Sequence, residues 1–64
     1  MSEQVVSEPL LLKPVEAAKA LSMGARTLWS LTAGRKIPHV RIGKSVRYDP
    51  ADLRAWIAEH KIAG

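Results

Sequence analysis

The chain has 64 residues and weighs 7.0 kDa, so it holds one domain and leaves no room for a deep catalytic cleft. It contains no cysteine and no apolar run near the ~18 residues of a membrane span, which excludes disulfides, thiolate metal sites and a spanning helix. Ten Lys and Arg against six Asp and Glu give a net charge of +4, which favours an anionic partner.

Residues 1–9 are polar, end in Pro9 and show no usable period, so a flexible N-terminal tail is expected there, with the folded domain at 10–64. The start of the chain is acidic and has no basic n-region, so it does not read as a secretory signal; a cytoplasmic protein is expected. Leu10, Leu11 and Leu12 form a short apolar run. Pro14 suits the first position of a helix, where a missing N–H costs nothing. The first helix is predicted from Pro14 to Leu21, with Val15, Ala18 and Leu21 facing the core. Lys13 is a poor N-cap for it.

Ser22-Met23-Gly24 breaks the pattern, and a second helix is predicted from Ala25 to Ala33. Gly34 is expected to end it as a left-handed cap. Two short helices around a glycine-containing turn make a helix-turn-helix pattern. At about 100° per residue, Leu28 centres the buried face, with Leu31, Thr32 and Ala25 beside it. Arg26, Ser30 and Ala33 then lie opposite, with Thr27 and Trp29 on the flanks. A long cation, a hydroxyl and a small residue on one slim face suit a DNA major groove.

Ile37-Pro38 leads into an alternating run in which Val40 and Ile42 read as inward and His39 and Arg41 as outward. Gly43-Lys44-Ser45 reads as a turn and Val46-Arg47-Tyr48 as the return strand of a hairpin. A three-residue turn would set Ile42 opposite Val46, Val40 opposite Tyr48 and Arg41 opposite Arg47. Asp49 is the strongest N-cap in the chain, followed by Pro50 and Asp52. The third helix is predicted to run to about Lys61, with Leu53, Trp56 and Ile57 on one face. Tyr48 and Trp56 read as core residues. Trp29 reads as packing over the core edge or stacking on sugar-phosphate.

The charge is unevenly placed. Residues 1–12 hold Glu3 and Glu8 and no base, which leaves ten basic and four acidic residues to 13–64, a net of +6. Between Ala25 and Tyr48 stand Arg26, Arg35, Lys36, Arg41, Lys44 and Arg47 with no acid. Such a block repels itself unless a polyanion neutralises it. His39 and His60 are far apart and lack a third ligand, so no metal site is expected. A helix cap accounts for Asp49 and Asp52. Tyr48 lacks the Arg/His cluster that a recombinase nucleophile needs.

The ordered set Glu16-Ala17-Ala18 with Leu21, Arg26-Thr27-Leu28-Trp29, Ile37-Pro38, Val40-Arg41-Ile42-Gly43, Arg47, and Asp52-Leu53 with Trp56 resembles the excisionase family. These are small winged helix-turn-helix proteins, similar in fold to the DNA-binding head of mercury-resistance-type regulators. The resemblance covers about residues 10–57. Lys13 and Gly24 depart from it, standing where Ser or Thr caps are usual.

The resemblance implies a mostly α fold with a small β-hairpin, in the order helix, turn, helix, hairpin wing, helix. Ala25 to Ala33 would be the recognition helix, with Ala25, Arg26, Thr27, Trp29 and Ser30 at the DNA. Arg41, Gly43, Lys44, Ser45 and Arg47 would form the wing, with Lys44 or Ser45 approaching the minor groove. Arg35 and Lys36 would meet phosphate. The implied function is that of a recombination directionality factor. It would bind and bend attachment-site DNA so that a phage-type integrase excises a phage or mobile element. It would act in the cytoplasm of a bacterial host, at the nucleoid, with no chemistry of its own, no cofactor and no membrane. Its partners would be double-stranded DNA, the integrase and further copies stacked head-to-tail. A long dimerisation helix is missing, so a monomer is expected in free solution. A small transcriptional regulator of the same fold is the alternative. A protein-binding adaptor is the third reading, and the +6 body argues against it.

Overall fold

Pro14 opens α1 (Pro14–Ala20) from an extended Lys13, and the computed structural model carries the chain on through α2 (Ala25–Ala33), β1 (Val40–Ile42), β2 (Ser45–Arg47) and α3 (Pro50–Glu59). Residues 10–62 are described; the expected tail at 1–9 lies outside them. The architecture is mostly helical with a two-stranded antiparallel hairpin, as expected for a winged helix-turn-helix.

Lys13 places no side-chain oxygen on the helix. Instead, its backbone N–H donates to Glu16 Oε1 at 2.9 Å, half of a capping box. Of the expected core face of α1, Ala18 and Leu21 hold and Val15 does not. Ala17 and Ala18 are buried and Leu21 is half-buried, while Val15 is 66% exposed. The two alanines let α1 pack closely on α2, and that turns Val15 away.

Both helices of the pair end in a Schellman motif. At α1, Ser22 N–H bonds Lys19 O and Met23 N–H bonds Ala18 O. At α2, Arg35 N–H bonds Thr32 O and Lys36 N–H bonds Leu31 O. The left-handed residue of each motif follows the cap, and neither is glycine: Ser22 and Arg35 both have φ 57°. The expectation for Gly34 is therefore corrected. Its φ of −83° is ordinary, and the turn falls one residue later.

The third helix starts as expected. Asp49 Oδ1 accepts from the Ala51 N–H at 2.9 Å, with Pro50 at the first position. The helix stops at Glu59, short of Lys61, because the His60 N–H turns back to Ile57 O. Leu53 is buried, Trp56 half-buried and Ile57 40% exposed. Ile57 lines a shallow apolar groove with Leu12, Leu21 and Leu53 rather than entering the core.

Among the described residues the core is Ala17, Ala18, Leu28, Ile37, Val46, Tyr48 and Leu53, and Thr32 is a buried polar residue beside it. Burying a side chain such as Leu28 contributes about 1.5–3 kcal/mol. Leu12 forms an isolated antiparallel bridge with Tyr48, with Leu12 N–H to Tyr48 O at 2.8 Å and Tyr48 N–H to Leu12 O at 2.9 Å. The apolar run before α1 thus pairs with the root of the hairpin.

Candidate nucleic-acid interface

The faces of α2 follow its helical period. Leu28 is 1% exposed and Thr32 4%, while Arg26, Thr27, Ser30 and Ala33 are exposed. Ala25 is exposed rather than buried, because it opens the helix at the margin of the core. Trp29 does not pack away: it is 55% exposed. Gly24 caps the helix with extended backbone and no side-chain bond, and the first turn carries no acid. The positive end of the helix dipole is therefore unopposed by any side chain there.

The hairpin corrects the expected register. Val40 pairs with Arg47, Arg41 with Val46 and Ile42 with Ser45. The turn is two residues, Gly43-Lys44, with Gly43 at φ 61°. A positive φ at the first turn position suits a type II′ hairpin. A slip of one residue moves a strand's side chains to the opposite face. Val46 and Tyr48 face the core, and Arg41 and His39 share that side of the sheet. Val40, Ile42, Ser45 and Arg47 take the outer face, with Ile42 55% exposed. Arg41 and Arg47 do not oppose each other, so the expected arginine pair does not form. The Arg47 guanidinium donates to Val46 O at 2.8 Å.

Two polar links fix the wing and its connecting loop against the helices. The Thr32 hydroxyl donates to Leu28 O at 2.9 Å, so its oxygen is left to accept from Tyr48 OH at 2.6 Å. Trp56 Nε1–H donates to Lys36 O at 2.8 Å and stacks on His60 with ring centroids 4.2 Å apart. The first link spans from α2 to the root of β2. The second ties the loop after α2 to α3.

Between the last turn of α2 and the start of β1 lies an open groove of about 630 Å³. Trp29, Ala33, Arg35, His39 and Arg41 line it, over a floor that includes Thr32 and Ile37. His39 is held by a 3.0 Å contact between Nδ1 and Ile37 O. Lys36, Gly43, Lys44 and Ser45 are exposed and do not line the groove. The candidate residues thus divide into an α2 stripe, a groove and a wing tip. Sequence reasoning missed the place of His39 and the grouping of Trp29 with Arg41, because both depend on the hairpin register. Among the described residues, no three His, Cys, Asp or Glu side chains come together. None of the described helices is long and apolar enough to cross a membrane.

A helix-turn-helix with a hairpin wing, joined by a loop and strands whose charged side chains are all basic, defines a winged helix-turn-helix DNA-binding domain. The family model for a helix-turn-helix domain matches residues 11–61, and the chain belongs to that family. No curated protein and no solved structure gives a significant match.

Proposed function

We propose that the chain is a recombination directionality factor of the excisionase type. It binds double-stranded DNA, with α2 in the major groove and the Gly43-Lys44 tip at the minor groove. Arg26, Thr27 and Ser30 meet base edges, and Arg35, Lys36, Arg41, Lys44 and Arg47 meet phosphate. By bending attachment-site DNA it assists a phage-type integrase, and it does no chemistry itself. The observation that carries the DNA-binding part is the run from Ala25 to Tyr48, whose six basic residues and no acid all fall on α2, its following loop and the wing. The order of motifs over residues 10–57 supports the excisionase part. A single module of this size meets only about 600–1,000 Å² of DNA. Several copies on adjacent sites therefore supply selectivity, through head-to-tail contacts.

The test begins with a duplex selected from random sequence. With about five phosphate contacts, log affinity falls against log salt with a slope of roughly −4 to −5. Arg26→Ala weakens the selected site by about 1–3 kcal/mol and relaxes one base position, whereas Lys44→Ala weakens all sequences alike. Adding the chain to an integrase from the same genome should then raise excision, with multi-step shifts on a long site. A flat salt response refutes DNA binding. Repression of a promoter with no effect on excision favours the regulator instead.

A further inference from the structure

We propose that Ile42 is an apolar wedge, which the wing inserts between two base pairs from the minor groove, and that this insertion is the source of the DNA bend. The inference rests on the DNA-binding reading above and deepens it. It assigns the bend to one side chain, and it makes an easily unstacked base step part of the recognised site.

The hairpin register carries the argument. Ile42 pairs with Ser45 directly beside the Gly43-Lys44 turn. Val46 and Tyr48 are buried, so the face they share is the one that packs on the core, and Ile42 and Ser45 take the other. There Ile42 leaves 55% of its surface in solvent. Ser45 is itself exposed and too short to shield it. Val40, two residues back on the same face, is half-buried, so the apolar surface of that face is greatest beside the tip.

A single exposed aliphatic residue is ordinary on a protein surface. What distinguishes Ile42 is its company. Arg41 precedes it, Lys44 follows it in the turn, and Arg47 shares its face on β2. From Ala25 to Tyr48 there is no carboxylate. Val15 and Ile57, exposed aliphatic side chains on α1 and α3, lie instead on the elements that hold Glu16, Asp52 and Glu59. A cationic rim around an apolar centre fits a surface that is anionic at its edges and apolar between them. The minor groove is such a surface, with phosphates along both edges and stacked bases within. Aliphatic wedges inserted there unstack a step and kink the duplex by about 20–90°. The wing is also braced for the task. The Tyr48 hydroxyl meets Thr32 Oγ1 at 2.6 Å, and the Tyr48 backbone pairs with Leu12, so the root of β2 is tied to the helices. One consequence is sequence preference without a polar contact: pyrimidine–purine steps unstack most easily, so such a step is favoured under the wing.

The experiment uses the full chain and its selected duplex, with bending read by fluorescence transfer between the duplex ends. 2-Aminopurine placed at successive positions brightens where a base unstacks. The native chain should bend the duplex and brighten one position at a pyrimidine–purine step. Ile42→Ala and Ile42→Thr should both lose the bend and the brightening, whereas Ile42→Leu should keep them. Ile42→Thr retains a β-branched strand residue, so it separates loss of the wedge from a disturbed hairpin. All three should keep the native salt slope, because no charge is removed. A mismatch at the brightened step lowers the cost of unstacking, so it should tighten the native chain by roughly tenfold and leave Ile42→Ala unmoved. A native chain that binds with salt dependence but neither bends nor brightens the duplex overturns the wedge alone. So do Ile42→Ala and Ile42→Thr proteins that bend and bind like the native chain while Arg26→Ala binds worse; in both cases the DNA-binding reading stands. Variants that bend a single site normally but lose the multi-step shifts on a long site also overturn it, and place Ile42 against the next copy. A native chain without salt-dependent binding removes the DNA-binding reading and the wedge with it.

Discussion

Arg35 carries opposing demands in one residue. Its backbone sits at φ 57°, where a side chain is strained, while the residue is exposed and lines the groove between α2 and β1. Replacing it by glycine relieves the backbone and removes the charge. Arg35→Gly should raise unfolding stability by roughly 0.5–1 kcal/mol while weakening DNA binding, as read by denaturant melts and duplex titration. A variant less stable than the native chain would show that Arg35 holds the fold by contacts beyond its backbone. Tyr48 and Thr32 form a second residue-scale unit. Thr32→Val strands the buried Tyr48 hydroxyl and should cost about 1–3 kcal/mol. Thr32→Val combined with Tyr48→Phe removes both partners and should cost less than the two single changes added together. Strict additivity in the melts would mean that the 2.6 Å contact carries no coupling.

At the scale of elements, helix α2 was legible in the sequence to the residue, from Ala25 to Ala33, because Gly24 and Gly34 bracket a clear helical period. Helix α3 was legible at its start through Asp49-Pro50 and less so at its end, where no residue signals the turn at His60. The hairpin was legible as a hairpin but not in its register. Alternation alone fits a two-residue or a three-residue turn, and the choice flips Val40 and Ile42 between faces. The groove was illegible for the same reason, since Arg41 joins Trp29 only in the observed register. On α1, Ala18 and Leu21 were legible, but Val15 was taken for Ala17 because it outranks it in hydrophobicity, whereas close helix packing favours the smaller residue. Helix caps remain adjustable. A Cβ at Gly24 meets no atom within 4 Å, and the backbone there is already extended. Gly24→Ser should therefore add a cap and a few tenths of a kcal/mol of stability in a thermal melt. A loss of stability would mean that the hydroxyl does not reach the N–H groups of the first turn.

Across the described residues, the helix pair, the hairpin and α3 share a core of seven buried apolar residues. Local contacts build α1 against α2 and β1 against β2, whereas the Leu12–Tyr48 bridge joins residues 36 positions apart in the chain. That bridge encloses the entire helix-turn-helix and wing within one loop. Each of its two residues is both donor and acceptor to the other, so the two amide protons lose protection in the same opening event. Deuterium should therefore enter Leu12 and Tyr48 with the same opening free energy, at a level set by release of the whole loop rather than by fraying of the hairpin. Val46 and the turn amides, held within the hairpin itself, are free to follow a different one. Unequal protection at Leu12 and Tyr48 would show that the chain before α1 peels away independently of the wing.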